Sequence, residues 1–384
     1  MAMKRIVDII IVGAGAGGLF LATLLNGKEK QNILIIERNE KVASKMLISG
    51  GGKCNITNEK VSPYNYLGEQ RFIHNVIKRF TSHQLLNWLG ERGLTPEIRQ
   101  RGQYFCRTSA KEIVDILTRD ILKEQICLNC EVERVEKRDD FFELFTSKGS
   151  FKAKRVVVAS GGLSFPKIGA TSIGYNIAIS FGHTIKRVSA GLVGLTVQPK
   201  QFFFKSLAGI STDVEITVGD RVAKGALLFA HKGISGPAVL DASLYWDRGT
   251  ISINFLPHIN IKLIMNSKRK ISNLLGLPSR LSKLLLSELN LEDKVAKEMN
   301  PQEWNLLSLL QNYTFAPAGT FGYSRAEVTK GGISTDEIDA SSMMSKKVEN
   351  LHFIGEVLDV TGELGGYNFQ WAFSSAYVCA KAIE

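Results

Sequence analysis

The apolar residues near the start of the chain fall into short runs separated by glycine. Ile6–Val12 is a β-branched run, and the glycine-rich segment Gly13–Gly18 follows it directly. Apolar residues at helical spacing then cover Leu19–Leu25, and Asn32–Glu37 is a second apolar run. Buried parallel strands have near-continuous hydrophobic sequences, so this order predicts a strand, a turn, a helix and a second strand.

The next part of the chain changes its hydrophobic period twice. Between residues 71 and 124 the apolar spacing is helical, and Ser109–Glu112 has the pattern of a capping box that opens a helix through Leu122. From Ile126 to Val158 apolar and polar residues alternate between turn-forming residues. The alternation predicts a small meander of antiparallel strands, which ends in a buried strand running into Ser160.

A third pattern begins near residue 191. Leu192–Val222, Ala226–Phe229 and Thr250–Leu256 are predicted as antiparallel strands, and residues 260–312 as several short helices. Between the last two of these strands, Ser235 is predicted to cap a helix that has Pro237 in its first turn. The pattern of the first residues then returns, because Leu351–Gly355 is predicted as a strand and residues 368–383 as a closing helix.

This order predicts an α/β fold in which a Rossmann-like domain is interrupted by an insert. We expect residues 1–190 and 331–384 to form the nucleotide-binding domain and residues 191–330 to form the insert. Within the insert we expect a small antiparallel β-barrel from residues 191–256 and 315–330, and a helical part from 257–314.

Composition limits the class of protein further. Of the 384 residues, 44 % are apolar and 22 % charged, as in an ordinary globular chain. No uninterrupted apolar stretch approaches the roughly 18 residues that a membrane span needs. The five cysteines have no disulfide-framework spacing, and the Cys127/Cys130 pair has no second ligand pair, so we expect a cytoplasmic protein without a metal site.

The glycines that follow the first strand have the spacing of a dinucleotide-binding turn. In such a turn Gly13 permits the tight bend, Gly15 lets the backbone approach a pyrophosphate, and Gly18 lets helix and strand pack closely. The N–H groups at the start of the helix face the phosphates. Glu37 closes the next strand and is placed to accept hydrogen bonds from ribose hydroxyls, so we predict dinucleotide binding.

Two further glycine clusters favour FAD over NAD as the dinucleotide. They are Ser49–Gly52 and Gly355–Gly366, and an extended FAD needs several loops along its length whereas NAD does not. The turn at Ser160–Gly161 is similar to the Ala-Thr-Gly turn of many FAD proteins. Gly355–Glu356 is similar to the Gly-Asp segment that holds the ribityl chain, and either Glu356 or Asp359 is the counterpart of that Asp.

Four long motifs resemble those of the YhiN-like (BaiN-like) bacterial flavoproteins, and they occur in the same order. They are Ile48–Asn58, His231–Leu240, Thr329–Ile333 and Gly362–Phe373. The resemblance implies a glutathione-reductase-type FAD domain with a β-barrel and helical insert. It also implies reduction of activated carbon–carbon double bonds, in steroid-like enones or in uridine of ribosomal RNA.

Together the turns and the resemblance define a set of candidate cofactor-binding residues. The set is Gly13, Gly15, Gly17, Gly18, Glu37, Arg38, Ser49, Gly50, Gly51, Gly52, Asn55, Val132, Ser160, Gly161, Gly355, Glu356, Gly365, Gly366, Tyr367 and Asn368. The last four precede or begin the closing helix, where N–H groups would stabilise negative charge that develops on a reduced flavin.

Cys54 and Lys53 are the candidate catalytic residues. Disulfide reductases carry a cysteine pair in a similar loop, but Asn58 and Glu59 stand where the partner of Cys54 would be. The loop therefore does not favour a dithiol mechanism, and it indicates two alternatives, in which Cys54 donates a proton to substrate or packs against the flavin. Lys53 is an alternative proton donor, and His231 is either a third or a corner residue of the insert.

The net charge of +11 bears on the partner. Between Lys262 and Lys283 there are six Lys or Arg and no acidic residue, which fits either a solvated helical face or a surface for RNA phosphates. Arg99, Arg101 and Arg107 add positive charge elsewhere. Both a small-molecule substrate and ribosomal RNA therefore remain open as partners.

We therefore predict an FAD-dependent oxidoreductase that reduces an activated carbon–carbon double bond, with NAD(P)H as the transient donor of hydride. The first alternative is an RNA-modifying enzyme that reduces a ribosomal RNA uridine to dihydrouridine. A further alternative is an FAD-binding redox sensor without turnover. The sequence predicts no oligomeric state.

Overall fold

The computed structural model describes residues 6–26 and 31–384. Within these residues the strands are β1 (Val7–Val12), β2 (Ile33–Ile36), β3 (Asn55–Asn58), β4 (Tyr66–Leu67), β5 (Glu97–Ile98), β6 (Gln103–Phe105), β7 (Ile126–Cys127), β8 (Val132–Lys137), β9 (Phe142–Thr146), β10 (Gly149–Val158), β11 (Ile185–Gly191), β12 (Leu195–Thr196), β13 (Ser211–Val218), β14 (Arg221–Ala230), β15 (Gly233–Ser235), β16 (Ile251–Asn254), β17 (Tyr313–Phe315), β18 (Gly319–Thr320), β19 (Val328–Ile333), β20 (Leu351–Phe353) and β21 (Thr361–Gly362).

The α-helices of the same residues alternate with these strands. They are α1 (Ala16–Asn26), α2 (Ser44–Ile48), α3 (Gln70–Ile77), α4 (Ser82–Gly90), α5 (Lys111–Thr118), α6 (Ile173–Ser180), α7 (Pro237–Tyr245), α8 (Ile261–Ile264), α9 (Ser279–Glu288), α10 (Pro301–Ser308) and α11 (Tyr367–Ile383). The chain divides into two compact units: unit 1 is Met1–Ala190 with Glu327–Glu384, and unit 2 is Gly191–Ala326.

Unit 1 is organised around a mixed sheet with the order β7-β2-β1-β10-β9-β8, to which β20 adds beside β10. β7, β2, β1, β10 and β20 are parallel, whereas β9 and β8 pair antiparallel. Ile9, Ile10 and Ile11 of β1 are completely buried, as expected for a strand covered on both faces. α1 packs against α11, and both contribute to the same hydrophobic core.

Unit 2 has its own hydrophobic core and its own sheet. The strands are antiparallel in the order β17-β16-β13-β14-β15-β12-β18, and α7 packs against β13 and β14. Phe204, Phe229 and Phe255 are fully buried and lie ring against ring at the centre of this core. The short helices α8, α9 and α10 lie between β16 and β17 in the chain.

Several local predictions need correction. The helix predicted to run from the capping box to Leu122 is α5, which ends at Thr118. Its first turn is capped by the Glu112 carboxylate, which accepts the backbone N–H of Thr108 at 2.7 Å and of Ser109 at 3.2 Å. The helical stretch predicted for residues 71–124 also contains β5 and β6. β6 pairs with β3 and β5 pairs with β6, so these short strands depend on tertiary contacts.

Three corrections concern the region predicted as an insert. Within the predicted strand Leu192–Val222, Pro199–Leu207 is a 3-10 helix, because its leading proline and its turn spacing favour helical geometry. Ser235 ends β15, and the residue that caps α7 is Gly236, whose positive φ suits glycine. β19, predicted as part of the insert up to residue 330, pairs with β11 in unit 1.

Candidate functional site

The carboxyl ends of four parallel strands meet at one edge of the sheet in unit 1. Val12, the last residue of β1, pairs with Ile36, the last residue of β2, and with Val158, the last residue of β10. Val158 pairs in turn with Phe353, the last residue of β20. The four segments that follow these strands therefore start side by side. They are Gly13–Gly18, Glu37–Arg38, Ser160–Gly161 and Gly355–Glu356, all candidate cofactor-binding residues. In doubly wound α/β sheets ligands bind at this edge.

The turn after β1 has two glycines that packing requires and one that packing does not. A Cβ on Gly13, whose φ is +109°, would lie 2.6 Å from the carbonyl oxygen of Ala159, and a Cβ on Gly18 would lie 2.0 Å from that of Gly13. A Cβ on Gly15 would meet no protein atom within 4 Å. The Gly15 backbone is therefore open at the start of α1, where N–H groups are free to bind phosphate.

Glu37 is held against this turn by backbone hydrogen bonds. One oxygen of its carboxylate accepts the N–H of Ala14 at 2.8 Å, and the other accepts the N–H of Asn39 at 2.9 Å. The backbone of Glu37 is bonded on both sides to the Cys127–Cys130 segment. The carboxylate thus has a fixed position at the sheet edge, as a ribose-binding group requires.

Arg38 and Val132, the two other residues predicted near the ribose, make fewer contacts with the turn than Glu37 does. Arg38 lies 3.4 Å from the carboxylate of Glu131 at a half-exposed position, and such surface pairs contribute little stability. Val132 is buried and begins β8, two residues after the segment that holds Glu37. Both residues therefore lie near the predicted ribose position through their place in the chain.

A polar network that the sequence did not predict supports the turns after β10 and β20. The ammonium group of Lys45 donates to Glu356 at 2.5 Å and to the hydroxyl of Ser164 at 2.8 Å. The other Glu356 oxygen accepts the Thr329 N–H at 2.8 Å, and the Thr329 hydroxyl oxygen accepts the Leu163 N–H at 2.7 Å. Glu356 is thus the centre of an internal network that fixes both turns.

Asp359, the alternative counterpart of Glu356, has a different environment. Burial raises the pKa of its carboxyl group, the more so because Asp336 is nearby, whereas Lys186 opposes the shift.

Gly355 is held directly by α11: its N–H donates to Ser375 Oγ and its carbonyl oxygen accepts from the Trp371 indole, each at 3.0 Å. The closing helix therefore sets the position of the Gly355–Glu356 turn.

The segment Ser49–Cys54 connects α2 to β3: it begins with the glycine-rich turn Ser49–Gly52 and ends with the two candidate catalytic residues, Lys53 and Cys54. The Ser49 hydroxyl donates to the carbonyl of Met46 at 2.8 Å, and the Cys54 N–H donates to the Ser49 carbonyl at 3.0 Å. These bonds fold the loop back on the end of α2. Lys53 is half-buried in the loop, and its charge is one of three that lower the pKa of the Glu97 carboxyl, after Arg99.

Cys54 has no exposed surface. Burial raises the pKa of its thiol to about 12, partly opposed by a hydrogen bond with Ser49 and increased by the nearby Cys106. The thiol is therefore protonated at neutral pH, and it packs in the core of unit 1. This placement favours the packing alternative for Cys54, and it leaves Lys53 as the candidate with an accessible group.

The N-terminus of α11 lies against β3. A Cβ on Gly366 would lie 2.6 Å from the Thr57 backbone and 2.8 Å from Asn55 Oδ1, so only glycine allows this approach. Asn368 does not present a free side chain, since its amide makes two 2.8 Å hydrogen bonds with the backbone of Gly362. The Tyr367 carbonyl oxygen accepts the Tyr66 hydroxyl at 3.0 Å. The helix start is thus rigidly positioned beside the loop.

One buried acceptor at this place lacks a partner. Asn55 Oδ1 is buried and accepts no hydrogen bond from the described residues, while Asn55 Nδ2 donates to Gln103 at 3.2 Å. Buried polar atoms without partners are rare in folded proteins and indicate a missing donor. A ligand N–H, such as that of a flavin pyrimidine ring, would satisfy this oxygen.

These features fit an extended FAD. The open Gly15 backbone at the start of α1 suits the pyrophosphate, and the fixed Glu37 carboxylate suits the ribose. The unpartnered Asn55 oxygen and the N-terminus of α11 suit a flavin ring. Three distinct parts of the cofactor therefore have matching groups in unit 1.

The structure brings together most of the predicted site residues and adds others. Gly13–Gly18, Glu37, Ser160–Gly161 and Gly355–Glu356 meet at the sheet edge, and Asn55 lies beside Gly366. His231 is exposed in the turn between β14 and β15 of unit 2. Sequence reasoning missed Lys45 and Ser164, which lie in none of the motifs that it had marked. It also missed Gln370, which lies within the marked motif Gly362–Phe373 and accepts the Thr57 hydroxyl of β3 at 2.6 Å. Among the described residues no group of His, Cys, Asp and Glu could hold a metal ion.

Comparison with known proteins identifies a family model and two relatives that match this chain over most of its length. A family model described as the HI0933-like protein Rossmann domain matches residues 7–382. Over 400 aligned residues, the full length of both chains, the protein is 39 % identical to a ribosomal RNA dihydrouridine synthase of Haemophilus influenzae. It is 28 % identical to a 3-dehydro-bile acid delta(4,6)-reductase of Clostridium scindens, covering 97 % of this chain and 98 % of that one.

A solved structure with a related fold is the Sdh1 complex of Mycobacterium smegmatis in the apo form. The TM-score is 0.50 at 12 % identity, over 99 % of this chain and 68 % of that one. At this identity the match concerns the fold alone.

In the described part of the chain, no helix has both the length and the apolar character needed to cross a membrane.

Proposed function

Because the chain belongs to the HI0933-like family of Rossmann-domain flavoproteins, we propose that it holds one FAD and reduces a carbonyl-conjugated carbon–carbon double bond. The proposed substrate is a uracil base of ribosomal RNA, and the product is dihydrouridine. The proposed donor of hydride is NADH or NADPH. The observation that carries the substrate assignment is the 39 % identity, over the full length of both chains, to a ribosomal RNA dihydrouridine synthase.

The chemistry of the substrate determines what the protein has to supply. The C5=C6 bond of uracil is conjugated to the C4 carbonyl, so reduction adds a hydride at C6 and a proton at C5. FAD, when bound, supplies the two-electron chemistry between the nicotinamide and the substrate. The protein then has to bind and orient both molecules and provide the proton.

The residues of unit 1 would hold FAD along its length. N–H groups at the start of α1 would bind the pyrophosphate, with Gly15 allowing its approach, and Glu37 would accept hydrogen bonds from the ribose. The Lys45–Glu356–Thr329 network would keep the turns after β10 and β20 in place. The N-terminus of α11 would stabilise negative charge on the ring, and Asn55 Oδ1 would accept a ring N–H.

Lys53 is the proposed proton donor. It lies in the same loop as Cys54 but is half-buried, whereas the Cys54 thiol has no exposed surface and a raised pKa. Arg99, a neighbour of Lys53 through Glu97, adds positive charge that would attract an anionic substrate. A lysine ammonium group is a suitable donor for protonation next to a carbonyl.

A second candidate substrate has its own observation. The Clostridium scindens relative reduces a bile acid, by its name, and matches 97 % of this chain at 28 % identity. A steroid enone has the same reacting group as uracil, a double bond conjugated to a carbonyl. The two substrates therefore need the same hydride and proton delivery, and they differ in the surface that surrounds the reacting group.

The first experiment tests the cofactor. The purified protein is mixed with FAD, freed of unbound cofactor, and its absorbance recorded before and after anaerobic addition of NADH or NADPH. We expect flavin bands that bleach with one nicotinamide. Gly15→Ala should lose the bands, and Gly90→Ala, which changes a glycine with no protein atom near its Cβ position in α4, should keep them. Absence of flavin from the native protein would refute the proposal.

The second experiment tests the substrate. Reduced protein is incubated with protein-free ribosomal RNA that lacks dihydrouridine, and separately with a 3-oxo-Δ4 steroid, and the products are analysed by mass spectrometry. We expect a gain of two hydrogens in one RNA nucleoside. Reduction of the steroid alone would assign the second candidate. Flavin that is reduced but reacts with neither would favour the redox-sensor alternative.

The role of Lys53 has a matched control in Lys60, an exposed lysine seven residues away. Lys53→Met should lower kcat by roughly a hundredfold, the usual effect of losing a general acid, with little change in FAD retention. Lys60→Met should leave kcat within about twofold. Equal effects of the two substitutions would attribute the change to charge alone and remove Lys53 from the mechanism.

A further inference from the structure

Unit 2 carries an open surface pocket of about 270 Å³ between the 3-10 helix Pro199–Leu207 and α9. Its walls combine two cations, two hydroxyl groups and an apolar floor. The lining residues are Ser206, Leu207, Arg280, Lys283, Leu284 and Ser287. The pocket lies within unit 2 and includes none of the candidate cofactor-binding residues of unit 1.

The charge of this pocket is uncompensated. Arg280 and Lys283 lie one turn apart on α9, both are exposed, and neither has a carboxylate within ion-pair distance in the described part of the chain. The two segments that form the pocket and its surroundings, residues 199–207 and 260–288, contain eight Lys or Arg and one acidic residue, Glu288 at the end of α9. Surface cations usually have acidic residues interspersed among them, so this surface favours an anionic partner.

The 3-10 helix that contributes Ser206 and Leu207 to the pocket also carries an exposed aromatic ring. In the 3-10 helix Phe204 is completely buried, but Phe202 is 47 % exposed. The ammonium group of Lys205 lies 3.4 Å from the centre of the Phe202 ring, and Ser206, the next residue, lines the pocket. A ring held in this way beside free cations has the composition of single-stranded nucleic-acid sites, where bases stack and cations bind phosphates.

From this arrangement we infer that the surface formed by Phe202, Lys205, Arg280 and Lys283 binds the backbone and an unstacked base of RNA. Arg280 and Lys283 contact phosphates at the pocket, and Phe202 stacks on a base beside it. The inference rests on the proposed function in that it extends substrate recognition to unit 2. Unstacked bases of single-stranded RNA are the usual targets of such stacking.

Two other anionic ligands fit less well. A small phosphate-bearing metabolite would need enclosure and buried polar groups, whereas the cations and hydroxyl-bearing residues of this pocket are exposed. An acidic protein segment would use the cations but leave the exposed Phe202 ring without a stacking partner. RNA uses both the charge and the ring.

The test measures binding of a fluorescein-labelled single-stranded RNA of mixed sequence to the FAD-loaded full chain, by anisotropy over a series of salt concentrations. Arg280→Glu/Lys283→Glu should weaken binding by about tenfold or more and lower the slope of log Kd against log salt by about 2, since two phosphate contacts are lost. Phe202→Ala should weaken binding by roughly fivefold to a hundredfold.

The matched control is Arg221→Glu/Arg248→Glu, which changes the net charge of unit 2 equally. Both arginines are exposed; Arg221 opens β14 at the hairpin turn and lies over the Tyr245 ring. The 3-10 helix instead precedes Ser211, at the other end of the β13–β14 ladder. We expect RNA affinity within about twofold of the native protein. Equal weakening by both double variants would reduce the effect to net charge and overturn the inference.

Two competitors separate the alternative ligands. Poly-L-glutamate at the same charge concentration should displace RNA poorly, and inorganic phosphate should displace it only at high concentration. Efficient displacement by either would assign the surface to an acidic protein or to a small anion and overturn the inference. Unchanged far-ultraviolet circular dichroism and FAD content of each variant exclude misfolding as the cause.

The outcomes also separate this inference from the proposed function. A protein that binds RNA through this surface but forms no dihydrouridine would keep the inference and refute the function. A native protein that forms dihydrouridine, with the same KM for ribosomal RNA after Arg280→Glu/Lys283→Glu, would keep the function and refute the inference.

Discussion

The sheet edge of unit 1 and the pocket of unit 2 are built in opposite ways. At the sheet edge polar groups are bonded to one another: Glu37 accepts two backbone N–H groups, and Glu356 is bonded to Lys45 and Thr329. At the pocket the charged groups, Arg280 and Lys283, are exposed and unpaired with carboxylates of the described residues. Rigid backbone and buried networks thus define the first region, and free side chains define the second.

This difference indicates what each region can recognise. Preorganised groups suit a cofactor of fixed shape, because little entropy is lost when it binds. Free cations suit a long polyanion, whose affinity comes from many salt-sensitive contacts and requires little fixed geometry. Substitutions at the sheet edge should therefore change stability and cofactor retention, whereas substitutions at the pocket should change partner binding only.

The largest expected effect is that of Gly18→Ala. Its Cβ would lie 2.0 Å from the Gly13 carbonyl oxygen and 3.3 Å from Cγ2 of the buried Ile11, so the backbone would have to shift. We expect a loss of about 3 kcal/mol or more of unfolding free energy together with loss of FAD. Chemical denaturation measures it, with Gly90→Ala as the control at a glycine that has no near neighbour. A Gly18→Ala protein of native stability would contradict the packing described for this turn.

The second effect is a dependence of stability on pH from His352. Burial lowers the pKa of this imidazole from 6.5 to about 4, and its Nδ1–H donates to the Ser342 carbonyl at 3.1 Å. Below pH 6.5 the unfolded chain takes up a proton that the folded chain excludes until about pH 4, so stability falls as the pH decreases through this window. The loss amounts to about 3 kcal/mol by pH 4.

His352→Gln should remove that part of the acid sensitivity, and denaturation curves between pH 4 and 7 measure the difference in slope. His231→Gln, at an exposed histidine of unit 2, should leave the slope of the native protein unchanged. An unchanged slope in His352→Gln would mean that His352 is not held neutral by burial.

The third effect tests the buried network. Lys45→Met removes the cation that lies 2.5 Å from Glu356, whose side chain is only 17 % exposed. We expect a loss of about 1–3 kcal/mol, below the value for a fully buried pair because the side chain of Lys45 is one-third exposed. Adding Glu356→Gln should restore part of it, since the uncompensated carboxylate is then gone.

The matched control for Lys45→Met is Lys283→Met in unit 2, which should change stability by less than about 0.5 kcal/mol. Denaturation of all four proteins at one salt concentration gives the comparison. Similar losses at Lys45 and Lys283 would break the distinction between the two regions.

The features that could be predicted from the sequence are those with local causes. β1, the glycine turn and α1 follow from a buried apolar run and from steric demands of neighbouring residues. Gly13 has the positive φ of a tight bend, and Gly18 has the predicted close contact. The Rossmann-type fold was predicted from this strand, turn and helix, and the family match confirms it. The closing helix was also found, since α11 begins at Tyr367, one residue before the predicted start.

Features that depend on distant partners could not be predicted. Lys45 and Glu356 are 311 residues apart in the chain, and no spacing rule connects them. β5 and β6 are too short to give an alternating pattern; β6 forms because β3 offers a partner, and β5 pairs with β6. The burial of Cys54 is of the same kind, because the loop alone gave no sign of which side the thiol faces.

The smallest expected effect is that of Cys54→Ala, and it decides between two roles for the thiol. A buried thiol with a pKa of about 12 contacts neither solvent nor substrate, so we expect about 1 kcal/mol of lost packing and a kcat within about threefold of native. In the native protein, iodoacetamide should modify the half-buried Cys127 well before Cys54, with mass spectrometry of the peptides as the measurement. A hundredfold fall in kcat with FAD still bound would instead make Cys54 the proton donor, because lost packing alone does not remove a chemical step while leaving the cofactor in place.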